Sequence, residues 1–338
     1  MTGILPIAKY SSGSELNMFL EYTMASEEKF NEYFGFTESE VDDLFVKYLK
    51  ICEIPAITRE QLRLWYDGYA TKAGERMYNP RSVVTALSNN NIGNYWTSSG
   101  PYDEIFYYIK NNVADVKADL ALMVAGEAVQ AKVREYAAAS MNLSTKNEIF
   151  SAMVVYGLLT YDNGMVFIPN KELMGSYASM MKKEQSLGYI YRLANVSSQM
   201  LQATLAGDTE TMSKIIQYAH NTEVPILSYN NETELSAIIN LVYLSARDQY
   251  RVEREDKAGK GYVDFIFYPV RYDQDCIILE LKMNYTPEEA IAQIKEKEYA
   301  LRFKGKTAAQ DKYTGRILAV GISYNKETKE HSCKVEEL

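Results

Sequence analysis

Two acidic residues and a lysine in the last third of the chain are the strongest candidates for chemistry. Asp264 lies in the run Tyr262–Tyr268, and Glu280 and Lys282 lie in the run Cys276–Lys282. Both runs have the composition of β-strands, and the polar segment between them predicts an antiparallel hairpin. Because strand side chains alternate between faces, Glu280 and Lys282 share one face. Asp264 lies beside them if the register of the hairpin allows.

These residue types suit metal-assisted hydrolysis of phosphodiesters. Hard carboxylate oxygens bind Mg²⁺ or Mn²⁺, and the metal ion polarises the phosphate and activates a water molecule. The ammonium group of Lys282 can orient that water or offset the negative charge that develops. The alternative interpretation is an exposed Glu-x-Lys on an edge strand with an unrelated aspartate nearby, because the bare pattern occurs often by chance.

The segment after the second strand predicts a helix that faces this set. Thr286, Pro287 and Glu289 supply an N-cap, a proline at the first helical position and the acid of a capping box. We expect the helix to continue to about Phe303. The run Arg316–Tyr324 predicts another strand, and the strand, helix and strand together imply a right-handed parallel crossover.

Three further side chains are candidates for the same cleft. Gln293 and Lys297 are one helical turn apart on the predicted helix and are expected to reach towards the acidic strand end. Glu232 and Glu234 precede an apolar helix upstream. Each of these glutamates is either a favourable partner of the helix dipole or a further metal ligand, and the sequence leaves both interpretations open.

Composition limits the remaining possibilities. The chain has 338 residues and a formal net charge of -9, which argues against a surface that is basic throughout but allows a local basic groove. Its two histidines, His220 and His331, and its three cysteines lack the spacing of zinc fingers or HExxH hydrolases. A small-molecule hydrolase that uses Cys333 and His331 has little support. Without a signal-like or membrane-spanning segment, the sequence predicts a soluble cytoplasmic protein with no membrane partner.

The first two thirds of the chain predict a mainly helical region. Thr37 and Glu40 form a capping box before a helix that runs to Lys50, and residues 65–100 are interpreted as loops whose aromatic side chains cover a small core. Helices are predicted over residues 102–136 and 145–159. Asn163-Gly164 then predicts a tight hairpin, so that helices and hairpin together suggest a winged-helix-like unit.

The C-terminal motifs together resemble a known family. The chain is similar to the PD-(D/E)XK nuclease superfamily domain found at the C-terminus of bacterial AAA-ATPase-like proteins, over the runs Tyr250–Val252, Gly259–Asp264, Ile278–Lys282, Glu288–Ala290 and Gln293–Lys295. The resemblance implies a restriction-endonuclease-like α/β/α core. It also implies a signature of Asp264, Glu280 and Lys282, with Gln293 as an accessory residue and Glu232 nearest to the family's helix glutamate.

The resemblance extends upstream over nearly the whole chain and implies three domains. The runs Thr2–Ile4, Phe34–Thr37, Trp65–Tyr69, Tyr78–Pro80 and Asn94–Trp96 look like the second half of an AAA-ATPase-like domain and its helical extension. The implied division is residues 1–100 for the remnant ATPase half, 101–225 for the helical, winged-helix-like extension and 226–338 for the nuclease-like domain.

One departure from that family concerns ATP. Its members begin with a phosphate-binding loop, whereas the one Gly-Lys-Thr of this chain, at residues 305–307, has Ala300 where the first glycine belongs and follows a predicted helix. We therefore expect no ATP hydrolysis by this polypeptide alone, and we interpret it as a truncated or remnant form.

The sequence favours a metal-dependent nuclease. The predicted function is Mg²⁺- or Mn²⁺-dependent cleavage of DNA or RNA by residues 226–338. The alternative is a catalytically inactive nuclease-fold module that binds nucleic acid, a protein partner or a second copy of the chain.

Overall fold

The computed structural model describes most of the chain, in two compact units. The described residues are 22, 24, 28–97, 101–111, 116–133, 143–221, 232–258, 261–271, 273–300 and 315–338. The units are Met1–Leu187, called the N-terminal unit, and Gly188–Leu338, called the C-terminal unit.

The described part of the N-terminal unit contains seven α-helices, two short 3₁₀ helices (Asn31–Tyr33 and Gln185–Leu187) and five short strands. The helices are α1 (Glu38–Ile51), α2 (Arg59–Tyr66), α3 (Pro80–Asn89), α4 (Pro101–Lys110), α5 (Val116–Val124), α6 (Lys146–Val155) and α7 (Lys171–Lys183). The strands are β1 (Tyr69–Ala70), β2 (Arg76–Met77), β3 (Val129–Gln130), β4 (Thr160–Asp162) and β5 (Met165–Phe167).

Side-chain caps begin several of these helices, and the sequence predicts the one before α1. The Thr37–Glu40 capping box precedes α1, and a second box, Thr145 with Glu148, precedes α6. In each box the threonine hydroxyl and the glutamate carboxylate accept hydrogen bonds from backbone N–H groups that have no intrahelical partner. Local capping chemistry therefore fixes where both helices begin.

The stretch over residues 65–100 is more regular than predicted. Loops were expected there, but α3 occupies Pro80–Asn89 because the Asn79 side chain caps it and Pro80 fits the first helical position. The interpretation of the aromatic residues as core is supported, since Tyr66 and Tyr78 are buried with Val41 and other apolar side chains.

The predicted Asn-Gly hairpin is present. Strands β4 and β5 pair antiparallel, and Asn163 and Gly164 between them have φ values of 47° and 89°. Positive φ at both central residues is what a type I′ turn requires. Strand β3 adds to the other edge of β5 to form a three-stranded sheet. The winged-helix interpretation of this region stays a prediction.

The C-terminal unit is built on a five-stranded mixed sheet. The described helices of the unit are α8 (Tyr189–Ala206), α9 (Thr209–Asn221), α10 (Glu232–Val242) and α11 (Pro287–Glu296). Its strands are β6 (Tyr250–Ala258), β7 (Gly261–Pro269), β8 (Cys276–Met283), β9 (Ile317–Asn325) and β10 (Glu330–Glu337), which lie in the order β10-β9-β8-β7-β6.

Strand directions confirm the predicted hairpin and crossover. Strand β8 pairs antiparallel with β7 and parallel with β9, and α11 connects β8 to β9. Every other pairing in the sheet is antiparallel. The central strand β8 therefore belongs both to the hairpin and to the crossover. Glu280 and Lys282 lie on this strand.

Helices cover both faces of this sheet. Ile278 of β8 packs with Ile291 and Ile294 of α11 on one face. On the other face, Phe267 of β7 contacts the ring of Tyr243, the residue that follows α10. Since Ile278 and Phe267 are buried on opposite sides, the unit is a three-layer α/β/α structure consistent with a nuclease-like fold.

The broader organisation of the chain is tested only in part. Helices α8 and α9, which fall in the predicted helical extension, belong to the C-terminal unit, and α9 packs on β10. The division into three domains stays a prediction. Within the described ranges, no helix has both the length and the apolar composition needed to cross a bilayer.

Candidate metal-binding site

Asp264, Glu280 and Lys282 meet on neighbouring strands at the centre of the C-terminal sheet. The Asp264 carboxylate on β7 accepts a hydrogen bond from the backbone N–H of Leu281 on β8 at 2.7 Å. The Lys282 ammonium donates to Oε1 of Glu280 at 3.3 Å. The shared-face prediction for Glu280 and Lys282 is therefore confirmed, and the register of the hairpin brings Asp264 next to them.

Glu280 is the most perturbed acid of the set. Its side chain is only 3% exposed because it lies on the central strand under α11. Burial, followed by the charge of Asp264, raises the pKa of Glu280 to about 7, while Lys282 acts in the opposite direction. A carboxyl group that is desolvated beside a second carboxylate favours its neutral form until a cation compensates the charge.

Lys282 supplies a positive charge that solvent can reach. Its side chain is 21% exposed, whereas its partner Glu280 is nearly inaccessible. The lysine is therefore paired with a buried carboxylate while part of its own side chain remains accessible to solvent. A cation in this position can meet an anionic ligand that approaches the two acids.

Gln293 reaches the same carboxylate from helix α11. Its side-chain Nε2 donates a hydrogen bond to Oε1 of Glu280. The helix begins as predicted, with the Thr286–Glu289 capping box and Pro287 at its first position. The predicted approach of Gln293 to the acidic pair is therefore observed.

A glycine on β9 lets α11 approach the sheet closely enough for this contact. Gly321 lies directly opposite Glu280 in the parallel register. A Cβ atom at Gly321 would lie 2.2 Å from the carbonyl oxygen of Pro287, in the first turn of α11. Only glycine permits this spacing, because the obstacle is backbone and not a side chain that could move.

Helix α11 is shorter than the sequence predicts. It ends at Glu296, not near Phe303, because Glu298 adopts a left-handed conformation with φ of 56°. The N–H of Glu298 donates to the carbonyl of Lys295, and the N–H of Tyr299 donates to the carbonyl of Ile294. This pattern is a Schellman motif, which ordinarily has glycine at the left-handed position.

The early helix end brings in a residue that the sequence analysis missed. Tyr299 is 1% exposed and packs in the same core cluster as Ile294. Burial raises the pKa of its hydroxyl, and the neighbouring Gln293 side chain acts in the opposite direction. Tyr299 is six residues after Gln293, a spacing that places two residues on different faces of a continuous helix, so no helical periodicity could have paired them.

The remaining candidates have different outcomes. Lys297 is the C-cap residue of α11 and has no hydrogen bond or ion pair with any described side chain of the site. Glu232 is the first residue of α10, a helix that packs against β8. The side chains of Glu232 and Glu234 lie outside the described residues, so their predicted roles remain predictions.

His331 and Cys333 belong to the opposite face of the sheet. Both lie on β10, where the Nδ1 atom of His331 is 2.8 Å from the Oε1 atom of Gln217 of α9. Burial raises the pKa of the Cys333 thiol to about 11. A thiol that is neutral at physiological pH is a weak nucleophile. The structure therefore gives no support to a small-molecule hydrolase that uses Cys333 and His331.

The two acids fit a divalent cation better than a self-contained ion pair. Within the described residues, Oε2 of Glu280 is buried and has no hydrogen-bond partner. An unsatisfied buried carboxylate oxygen is costly, and a hard cation between Glu280 and Asp264 would remove that cost. Counting only side chains that the structure describes, no three His, Cys, Asp or Glu residues are grouped as metal ligands. The described ligand set is thus this pair of carboxylates.

Comparisons with known proteins support the nuclease-like part of the prediction. Residues 230–332 match a family model described as the PD-(D/E)XK nuclease superfamily. The matched region contains Asp264, Glu280, Lys282 and Gln293 and extends over most of the sheet. The comparisons give no support for an AAA-ATPase-like region upstream.

A curated relative shares only part of the chain. A protein of Azotobacter chroococcum mcd 1, named as an uncharacterized protein in the vnfD 5′ region, is 29% identical over 100 residues. The aligned segment is 30% of this chain and only 18% of that protein's own length. No solved structure has significant similarity to the chain.

Proposed function

We propose that the C-terminal unit hydrolyses phosphodiester bonds of nucleic acid in a reaction that depends on Mg²⁺ or Mn²⁺. The observation that carries this proposal is the convergence of Asp264, Glu280 and Lys282, with one oxygen of Glu280 buried and lacking a hydrogen-bond partner among the described residues. The nuclease-superfamily match over residues 230–332 supports the same activity class.

Asp264 and Glu280 would hold the metal ion. Their oxygens are hard ligands, and the partly exposed Asp264 and the buried Glu280 together offer two negative charges to one cation. When bound, the ion polarises the phosphodiester and offsets the negative charge that develops on it. Glu232, as the first residue of α10, is proposed as a third ligand.

Lys282 and Gln293 keep Glu280 in a productive orientation. Both donate to Oε1 of Glu280, which directs this oxygen towards protein donors. Oε2 is then the oxygen left for the metal. Because Lys282 remains partly exposed, its ammonium group is also available to orient a water molecule or to stabilise negative charge on the phosphate.

A metal titration followed by a cleavage assay tests this function. Calorimetric titration with Mn²⁺ is carried out on the wild type and on Asp264→Asn, and both are then incubated with single- and double-stranded DNA and RNA. We expect Mn²⁺ binding and cleavage in the wild type, and the loss of both in Asp264→Asn, because the variant removes one of the two charges that hold the ion.

The lysine separates catalysis from metal binding. Lys282→Ala is expected to retain Mn²⁺ binding and the folded state but to lose cleavage by at least 100-fold, as removal of a charge-stabilising donor typically does. Lys146→Ala is the matched control, since Lys146 pairs with Asp119 at 2.7 Å in the N-terminal unit. Its cleavage rate should equal that of the wild type.

Two results would contradict the proposal. Cleavage that persists in Lys282→Ala would show that Lys282 has no role in the reaction. A wild type that neither binds Mn²⁺ nor cleaves any of the four substrates would favour a catalytically inactive binding module.

A further inference from the structure

Two arginine side chains occupy neighbouring positions against helix α10, outside the candidate metal-binding site. Nη2 of Arg247 donates a hydrogen bond to Oδ1 of Asn240 at 3.1 Å, and Nη2 of Arg254 donates to Oγ of Ser236 at 2.9 Å. Ser236 and Asn240 are one turn apart on α10, and side chains four positions apart on a helix are neighbours. The two hydrogen bonds therefore hold the guanidinium groups close to each other.

The arginine pair and the two acids lie on opposite faces of the sheet. Arg254 is opposite Phe265 in the register of β6 and β7, and its guanidinium carbon is 5.7 Å from the centre of the phenyl ring. Asp264 is adjacent to Phe265 on β7, and adjacent strand residues point to opposite faces. A ligand of the arginine pair is therefore independent of a metal ion held by the acids.

Arg247 has no acid that compensates its charge. Its hydrogen-bond acceptor is the neutral amide of Asn240, and within the described residues no carboxylate forms an ion pair with it. Burial, followed by the charge of Arg254, lowers the pKa of Arg247 to about 10. The group remains charged at neutral pH. A desolvated charge beside a like charge destabilises the folded protein unless an anion compensates it.

Arg316 of the same unit has the compensation that Arg247 lacks. Its Nε and Nη2 atoms donate to Oδ2 of Asp275 at 3.1 and 2.6 Å. Asp275 raises the pKa of Arg316, whereas no acid acts on the pKa of Arg247. The two arginines therefore differ in that one already has an anionic partner.

We propose that Arg247 and Arg254 form a binding site for a phosphate group, which belongs either to a nucleic-acid strand or to a small phosphorylated molecule. A guanidinium group has several N–H donors in a planar fork, and the hydrogen bond from Arg247 to Asn240 uses one of them. One fork is enough to fill the two oxygens of a carboxylate, whereas a phosphate group can accept from two forks at once. Both side chains are partly exposed, so an anion can reach them.

The first experiment uses the whole metal-free chain and inorganic phosphate as the probe. Phosphate is titrated by calorimetry against a chloride reference of equal ionic strength. We expect the wild type to bind phosphate, and Arg247→Met and Arg254→Met to bind it about tenfold more weakly or less, as loss of hydrogen bonds to a charged group typically does. Arg316→Met is the matched control, and its phosphate affinity should equal that of the wild type.

Thermal unfolding in chloride separates a ligand-binding arginine from a structural one. Arg247→Met should keep or raise the wild-type midpoint, because it removes an uncompensated charge and retains an apolar side chain of similar length. Arg316→Met should lower the midpoint, since Asp275 loses its partner. A decrease in Arg247→Met as large as that in Arg316→Met would show that Arg247 stabilises the fold, and would overturn the proposal.

Single-stranded DNA and RNA oligonucleotides distinguish the two sources of the phosphate group. Their binding to the metal-free protein is measured by fluorescence anisotropy. Weaker binding in Arg247→Met than in Arg316→Met, with competition by inorganic phosphate in the wild type, would support a phosphate of the nucleic-acid strand. Equal oligonucleotide binding in the two variants, together with the loss of phosphate binding in Arg247→Met, would support a small phosphorylated molecule.

Two further results would overturn the proposal. The first is a wild type that binds phosphate no better than chloride, and the second is an Arg247→Met variant that binds phosphate as tightly as the wild type. Neither result depends on Mn²⁺ binding or on cleavage, so failure of this proposal is distinguishable from failure of the proposed function.

Discussion

Two buried glutamates, one in each unit, have similar burial and different surroundings. Glu172 of the N-terminal unit is 1% exposed and Glu280 of the C-terminal unit is 3% exposed, and burial is the main cause that raises the pKa of each. In both, Oε2 has no hydrogen-bond partner among the described residues. Burial and the direction of the pKa shift alone would therefore not distinguish them as candidates for a site.

Their partners separate them. Oε1 of Glu172 accepts hydrogen bonds from the backbone N–H groups of Tyr95 and Trp96 at 2.6 and 2.9 Å, and from the Ser82 hydroxyl at 2.9 Å. All three donors are uncharged groups that belong to other elements of the same unit. Glu172 therefore anchors the aromatic segment that the sequence analysis interpreted as core.

Glu280 has titratable and charged neighbours instead. Asp264 raises its pKa and Lys282 lowers it, so its protonation depends on the state of the groups around it. A carboxylate with neutral, fixed donors serves structure, whereas one beside a second carboxylate and an ammonium can exchange a proton or a cation. The comparison teaches that the neighbours of a buried acid, more than its burial, indicate chemistry.

The largest expected effect is a loss of stability when Glu172, the acid with a structural role, is replaced. Glu172→Ala should lower the free energy of unfolding by about 3 to 5 kcal/mol, because two backbone N–H groups and a hydroxyl lose their buried acceptor. Urea denaturation measures this loss. The Mn²⁺ affinity of the folded protein should remain that of the wild type. A decrease in the free energy of unfolding of less than about 1 kcal/mol would contradict the anchoring role of Glu172.

The next effect concerns the spacing between α11 and the sheet. Gly321→Ala should lower the free energy of unfolding by about 2 to 3 kcal/mol, since the added methyl group meets the Pro287 carbonyl and displaces the helix that carries Gln293. Thermal unfolding and Mn²⁺ titration should both report it.

A matched glycine provides the control for this variant. Gly175 lies within α7, and nothing lies within 4 Å of the position of an added Cβ. Gly175→Ala should be neutral or stabilising by up to about 1 kcal/mol. If both variants lost the same stability, close approach at Gly321 would not be the cause.

Glu280→Gln should stabilise the protein while it abolishes metal binding. The folded state raises the pKa of Glu280 from its ordinary value of 4.5 to about 7, so the folded protein binds more protons than the unfolded chain between these two pH values. Stability contributed by this group therefore falls as the pH rises between these two values. At pH 8 the variant should exceed the wild type by on the order of 2 kcal/mol, and at pH 4 the two should be equal.

Urea denaturation at both pH values checks this sign, and a Mn²⁺ titration checks the binding. Wild-type Mn²⁺ affinity should rise with pH towards about 7, because the metal competes with the proton for Glu280. A variant that is less stable than the wild type at pH 8 would show that the charge of Glu280 is already compensated in the metal-free protein.

The smallest effect compares two helix caps of the same type. Thr286→Ala and Thr145→Ala each remove a capping box and should each lower stability by about 1 kcal/mol. Only Thr286→Ala should also weaken Mn²⁺ binding, because α11 holds Gln293 against Glu280. Equal Mn²⁺ affinities in the two variants would show that the cap of α11 does not affect the candidate metal-binding site.

The parts that sequence reasoning predicted correctly depend on local signals. The β7–β8 hairpin follows from two strand-like runs, the starts of α1 and α11 follow from capping boxes, and the approach of Glu280 to Lys282 follows from strand alternation. Each of these signals lies within a few residues of the feature it predicts, so no knowledge of tertiary packing is needed.

The parts that it missed depend on tertiary contacts or on an unusual backbone conformation. Glu172 is an ordinary glutamate near the start of a helix until residues 76 to 90 positions away supply its donors. Helix α11 ends because a glutamate, Glu298, takes the left-handed conformation that normally marks glycine, so the sequence carries no stop signal. Without that end, Tyr299 could not be placed beside Gln293.

The distances along the sequence between interacting residues also influence the order in which the molecule folds. Asp264, Glu280, Gln293 and Tyr299 lie within 36 consecutive residues, from 264 to 299, whereas the donors of Glu172 are 76 to 90 residues away from it. Contacts between residues close in sequence require less loop closure and form faster than distant ones. We therefore expect the acidic set to assemble early, and the anchor of the N-terminal unit to form in a late step of folding.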